Sequence, residues 1–140
     1  MLVQAYLFFD GRCEEALAFY GKAVNAQVQT LIRFKDNPEQ PGDQAAGPRP
    51  PNGEKIMHAS FKVGESLVNA SDGECGGQPD FRGFSLVLNA KDDAEATKHF
   101  NALLEDGGSV AMPLSKTFFA SSFGMLRDRF GVHWMVMSPP

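Results

Sequence analysis

Two histidines stand on stretches where apolar and polar residues alternate, and both could act on a small molecule. His58 and Ser60 fall on one side of residues 56–63, opposite Ala59, Phe61 and Val63, so imidazole and hydroxyl point away from the surface those three bury. An imidazole could serve there as a general base or a hydrogen-bond partner; the plainer alternative is a structural histidine bonded to nearby backbone. His133 shares a side with Met135 and Met137, while Trp134 and Val136 take the side that packs on a helix. His58 and His133 together would bring two nitrogens to a metal, and no acidic third ligand stands at a fixed spacing, which makes a weak site. His99, beside Phe100, reads as a partly exposed helix histidine.

Other residues carry chemistry of a less specific kind. Arg127 is a candidate for an anionic substrate group, whereas Asp128, just ahead of Phe130 and Gly131, is of the type that fixes a turn. Phe118, Phe119, Phe123, Met125, Met135 and Met137 either line an apolar pocket or belong to a core. Cys13 and Cys75 lie in no CxxC or Cys/His cluster, and Cys75 has no fixed basic neighbour to lower its pKa. Glycines 73, 76 and 77 form a connector without the Lys-Ser/Thr ending and helix of a phosphate loop. Glu14 and Glu15 are accounted for by the positive end of a helix dipole.

These residues need elements to position them. Residues 2–9 read as a strand; Asp10 stands where a helix cap should be, ahead of Cys13, Ala16, Leu17, Tyr20 and Val24 at helical spacing. Residues 27–35 alternate, with Val28, Thr30, Ile32 and Phe34 on one face of a half-buried strand. Two short strands, 56–63 and 65–71, meet at Gly64 as a hairpin. A strand at 84–89 follows, then a helix capped by Asp92 or Asp93, striped by Ala96, Phe100, Leu103 and Leu104 and stopped at Gly107. Strands at 109–114, 123–127 and 132–138 close the pattern, which is βαβββ twice.

Residue offsets support the duplication. Ala16 and Tyr20 match Ala96 and Phe100 at a shift of 80, whereas the hairpin glycines Gly64 and Gly131 match at 67. The first half therefore carries about thirteen extra residues between helix and hairpin. They fall within 36–55, whose five prolines and three glycines resist regular structure, so a flap is expected there. The modules run over about 1–72 and 82–140 of one domain.

Composition bounds the function classes. With 140 residues, 43% hydrophobic and 21% charged, the chain holds one core and no separate regulatory module. A net charge of −4 without a basic cluster argues against nucleic acid. Residues 1–10 lack a basic targeting start, and no apolar run approaches the ~18 residues that span a bilayer. A cytoplasmic protein without a membrane partner is expected, and the sparse cysteines suit a reducing compartment.

Two βαβββ units of this size resemble the vicinal oxygen chelate superfamily of glyoxalases, extradiol dioxygenases and bleomycin-resistance proteins. The run Tyr6-Leu7-Phe8-Phe9-Asp10-Gly11-Arg12-Cys13-Glu14-Glu15-Ala16 followed by Phe19-Tyr20, the segment Met57-His58-Ala59-Ser60, and the ending from Phe123 to Trp134 are similar to its PhnB-like branch. The resemblance implies an α+β fold of paired half-barrels around a cavity, and a homodimer. Metal-dependent members hold an ion with His and Glu on the first and last strands of each unit; here those positions fall near Ala5, Phe84, Val68 or Asn69, and Met135. None offers an imidazole or carboxylate, so no metal and no cofactor is expected. Relatives of the branch have Trp-Gly where Phe119-Ala120 stands, which removes an indole donor and keeps an aromatic face. A small organic ligand bound by His58, Ser60, Phe119, Arg127, His133 and Met135 is the resulting expectation. The alternatives are a metal-dependent lyase, isomerase or dioxygenase, and sequestration of a toxic compound as in bleomycin resistance.

Overall fold

The computed structural model describes residues 1–38, 53–73 and 77–140. Most of the flap expected at 36–55, and Cys75, lie outside the described residues. The chain divides into two compact units, Met1–Gly21 with Asn25–Pro79, and Lys22–Val24 with Asp80–Pro140.

Each unit repeats one plan. The first contains β1 (Tyr6–Phe8), α1 (Cys13–Val24, whose last three residues group with the second unit), β2 (Gln27–Arg33), a 3-10 turn (Phe34–Asp36), β3 (Ile56–Val63) and β4 (Ser66–Ser71). The second contains β5 (Leu86–Asn89), α2 (Asp93–Leu103), β6 (Ser109–Ser115), β7 (Ser122–Arg127) and β8 (His133–Ser138). The sheets are ordered β1-β4-β3-β2 and β5-β8-β7-β6, the first strand of each parallel to the last and the other pairs antiparallel. This is an α+β fold of two half-barrel units.

In each unit the buried residues lie on one sheet face and one helix stripe. α1 buries Cys13, Ala16, Leu17, Tyr20, Ala23 and Val24, a spacing of three and four that lines up one side of a 3.6-residue helix. Tyr20 stacks on Phe61 of β3 at 5.8 Å between ring centroids, and Leu7, Ala59 and Ala70 stand at paired positions on the same face. Burying a Phe or Leu side chain of this kind contributes roughly 1.5–3 kcal/mol. In the second unit α2 buries Ala96, His99, Phe100 and Leu103, and on its sheet Gly124, Leu126, Trp134 and Val136 are buried. Gly124 is required there: a Cβ would stand 2.7 Å from Phe100 Cε2 and 3.0 Å from Leu114 Cδ2.

The ends of the two helices are secured differently. α1 begins at Cys13 after Arg12, which makes no side-chain cap bond, so Asp10 is not the cap; it takes the left-handed conformation at φ 50°. The orphan donors go instead to a carboxylate at the end of β4: Asp72 Oδ1 accepts from the N–H groups of Gly11 at 2.7 Å and Cys13 at 2.8 Å, and Oδ2 from Ile56 at 2.8 Å. α2 has the side-chain cap that its sequence predicts, Asp92 Oδ1 accepting from Glu95 N–H at 2.8 Å. Its first residue, Asp93, accepts from the hydroxyls of Ser121, Ser122 and Ser138 at 2.8, 2.7 and 2.7 Å. Those hydroxyl bonds, led by Ser122, hold the Asp93 carboxyl below its usual pKa.

Three expectations about these elements are corrected. β2 is not half-buried: it is an edge strand, with Val28 46% and Leu31 38% exposed. A bulge between Val28 and Thr30 breaks its alternation, so Val28 pairs with Phe61 of the helix face, while Thr30 and Ile32 pair with Ser60 and His58 of the opposite face. The strands expected at 2–9 and 84–89 shorten to β1 and β5, leaving Leu2, Val3 and Phe84 exposed. His99 is buried, not partly exposed, because Nδ1 reaches the Ala23 carbonyl at 3.0 Å near the end of α1. A carbonyl only accepts, so Nδ1 carries the proton.

Candidate functional site

The sheet face away from the helix, termed the open face although Ser60 and Phe123 are buried on it, carries the expected site residues, which divide between the two units. On the first, His58 and Ser60 stand on β3, with Ser60 paired to Asn69 of β4 and Asn69 paired to Tyr6 of β1. His58 Nδ1 lies 2.9 Å from the Tyr6 hydroxyl, the rings tilted at 37° with centroids 5.6 Å apart. Tyr6 also stacks on Phe8, two residues along the same face, at 5.0 Å. A phenol bonded to an imidazole beside an aromatic wall can pass a proton or hold a polar edge of a planar molecule. Tyr6 and Phe8 were not picked out as site residues from sequence, although their period of two in an aromatic run was the signal for it.

On the second open face stand Arg127, His133 and Met135, part of a run of three alternate rungs of one antiparallel ladder. Phe123 pairs with Met137, Met125 with Met135 and Arg127 with His133. Met112 of β6 pairs with Met125, and Val87 of β5 with Met135, so the middle rung extends across all four strands. Thioether side chains are unbranched and polarizable, and adapt to the shape of an apolar guest. Phe119 packs its ring edge to face on Phe123 at 5.1 Å and is half exposed. Phe118, offered as a pocket or core residue, is neither: it is 97% exposed, touching Phe119 edge to face.

Below Arg127 the chain turns on Asp128. Its Oδ1 accepts from Phe130 and Val132 N–H at 2.9 and 3.1 Å, its Oδ2 accepts from Trp134 Nε1 at 2.9 Å, and Gly131 takes φ 92° to close the loop. Arg127 makes no hydrogen bond or ion pair among the described residues and lies along this turn, within 3.5 Å of where a Gly131 Cβ would stand. The nearby Asp80 is gripped by Arg82, Nε to Oδ1 at 3.0 Å and Nη2 to Oδ2 at 2.9 Å.

The superfamily's metal set does not fit these residues. The first-strand residues that pair with the last strands are Tyr6, not Ala5, against Asn69, and Val87, not Phe84, against Met135. Phenol, amide, alkyl and thioether side chains offer a divalent ion neither imidazole nor carboxylate, and no group of three or more His, Cys, Asp or Glu among the described residues could hold one. Cys13 is an unlike case: it is buried, and desolvation, with the charges of Asp72 and Glu14 adding to it, pushes its thiol up to about 12. It is not a nucleophile.

Comparison with known proteins adds what geometry alone does not. Residues 2–137 match the family model of 3-demethylubiquinone-9 3-methyltransferase. The chain is 32% identical to protein YjdN of Escherichia coli K12, covering 97% of this chain and 94% of that one. It is 42% identical to protein PA1353 of Pseudomonas aeruginosa, with a TM-score of 0.81 and coverage of 99% and 98%. A Bacillus cereus protein described as a putative 3-demethylubiquinone-9 3-methyltransferase, PhnB protein, shares the fold at 23% identity, TM-score 0.76 and 99% coverage of both chains. Glyoxalase/bleomycin-resistance proteins share the fold at 14% and 15% identity, with TM-scores of 0.60 and 0.63.

Proposed function

The chain belongs to the 3-demethylubiquinone-9 3-methyltransferase family, the PhnB-like branch of the glyoxalase/bleomycin-resistance superfamily, and from that premise we propose that it binds a small organic molecule without a metal ion. The observation that carries this is the second open face, where Phe123, Met125, Met135 and Met137 form a continuous apolar ladder and Val87 and Met135 stand at the paired strand positions. Phe119, Arg127 and His133 of the same unit supply the aromatic and polar contacts, and His58 and Ser60 offer polar contacts of their own on the first open face. Sequestration, as in bleomycin resistance, needs nothing more than this surface. A glyoxalase-type lyase, isomerase or dioxygenase would need donors that these residues lack. The Tyr6–His58 pair favours, as a second reading, a metal-independent proton transfer on a molecule bound at the first open face.

The protein is read as cytoplasmic and as a homodimer. No helix of the described residues is long and apolar enough to cross a membrane, and Val110 at 48% and Met112 at 42% exposure leave apolar side chains on the β6 edge for a second copy to cover. Sedimentation equilibrium giving a monomer at micromolar concentration would end the dimer reading.

The test of binding is a thermal-shift screen of metabolites, antibiotics and S-adenosylmethionine, since a ligand selective for the folded state raises the midpoint by mass action. Each hit is then followed for turnover. Elemental analysis accompanies it, and about one equivalent of Zn, Ni, Mn or Fe per chain would overturn the metal-free reading.

A further inference from the structure

The second open face is polarised along its length, and this polarity specifies the ligand more narrowly. Phe123 and Met137 form one end, Met125 and Met135 the middle, and Arg127 and His133 the other end. At about 3.3 Å per residue, Phe123 and Arg127 lie about 13 Å apart along the strand. Every rung but the last is apolar, and the last carries a guanidinium and an imidazole. Asp80 is close enough to feel the Arg127 charge, but its carboxylate oxygens are hydrogen-bonded by Arg82 and not by Arg127. The guanidinium therefore has five N–H donors and no acceptor of its own among the described residues.

We propose that the ligand of this face is an amphipathic carboxylate, its apolar body lying on the methionine and phenylalanine rungs and its carboxylate held by Arg127 with His133 beside it. A neutral molecule of the same body would leave the Arg127 donors to water and gain only the apolar contact. The inference rests on the small-molecule reading above and narrows it to one chemical class.

Decanoate and decanol, equal in chain length and different in head group, are the probes. Protein carrying 13C-methyl methionine is titrated with each at pH 8, and Met1 and Met57, which lie off this face, serve as internal references. Decanoate is expected to shift the Met125, Met135 and Met137 methyl signals and to bind about tenfold more tightly than decanol, the gain of a charge-assisted bond. Arg127→Gln should bring the two probes to within about twofold by weakening decanoate alone, and Arg127→Lys should restore part of the preference. Equal affinities at the same methyl groups, unchanged by Arg127→Gln, would overturn the carboxylate inference and leave the apolar face as a binding surface. Silence of those methyl groups towards decanoate also overturns it. In that case a thermal-shift hit that moves the same signals keeps the broader reading alive, and the absence of any hit removes both.

Discussion

Replacing Asp72 by alanine removes the acceptor of three backbone donors at once. Its oxygens hold the entry to α1 through Gly11 and Cys13 and the first residue of β3 through Ile56, all at 2.7 to 2.8 Å, with the side chain buried. A hydrogen bond to a charged group contributes roughly 1.5–3 kcal/mol, and a buried donor left without a partner costs about 1–3 kcal/mol. The three are not additive, because water enters once the side chain is gone, so a loss of about 3–5 kcal/mol is expected. That is a large part of the roughly 5–15 kcal/mol that holds a small protein folded. With a urea slope of about 1–3 kcal/mol per molar, the unfolding midpoint should fall by at least about 1 M. Asp72→Asn should fall between wild type and alanine: its one carbonyl oxygen can still serve Gly11 and Cys13, but its NH2 group then faces the Ile56 N–H, donor against donor. An alanine variant within about 1 kcal/mol of wild type would show that solvent satisfies these amides and that the carboxylate is not what joins helix, loop and strand.

Gly124→Ala should lower stability by about 1–3 kcal/mol in the same assay, since the new methyl group meets the Phe100 ring and the Leu114 side chain; a neutral result would mean that α2 can move away without cost. In a Cys75→Ser background, Cys13 should not react with a disulfide reagent at pH 8 until the protein is unfolded, because its thiol is held near 12. Prompt labelling of the native protein would contradict its burial. Glu14, bonded by Arg33 at 3.1 and 2.6 Å, has its pKa lowered from 4.5 first by that bond. The stability it adds is therefore present above about pH 4.5 and lost as the pH falls through the lower folded value. Glu14→Gln should be slightly less stable than wild type at pH 7, with the gap narrowing as the pH is taken down below 4.5, and a gap that does not narrow in acid would exclude this pair as its cause.

The legible part of the fold was the part set by local spacing. The offsets of Ala16, Tyr20 and Gly64 against Ala96, Phe100 and Gly131 gave the duplication, and the alternation at 56–63 and 132–138 placed His58 and His133 away from Ala59, Phe61, Trp134 and Val136. Alternation failed at β2 because a bulge is one unpaired residue in a ladder, and no side chain announces it. Long-range bonds were equally silent. Asp72 follows β4 and serves the start of α1, 59 residues earlier at Cys13, and His99 meets Ala23 across 76 residues. Neither partner is a neighbour on any local periodicity. On the candidate site, alternation groups residues along one strand, His58 with Ser60 and His133 with Met135, but not across strands. Strand register was needed to bring Arg127 opposite His133, and the folded chain to bring Tyr6 beside His58.

The two helix anchorages also bear on how the halves relate as copies. In one, the acid sits after the last strand and the donors are at the helix start; in the other, Asp93 opens the helix and three serines on the strand side donate to it. The polarity of the fastening is reversed between twins. A hybrid joining α2 to the strands that lead into Asp72 would set carboxylate against carboxylate, and the converse hybrid would give the N–H groups at the start of α1 only serine hydroxyls, with no carboxylate to accept from them. In each unit the helix start and the strand end are matched to one another, so neither can be exchanged without the other.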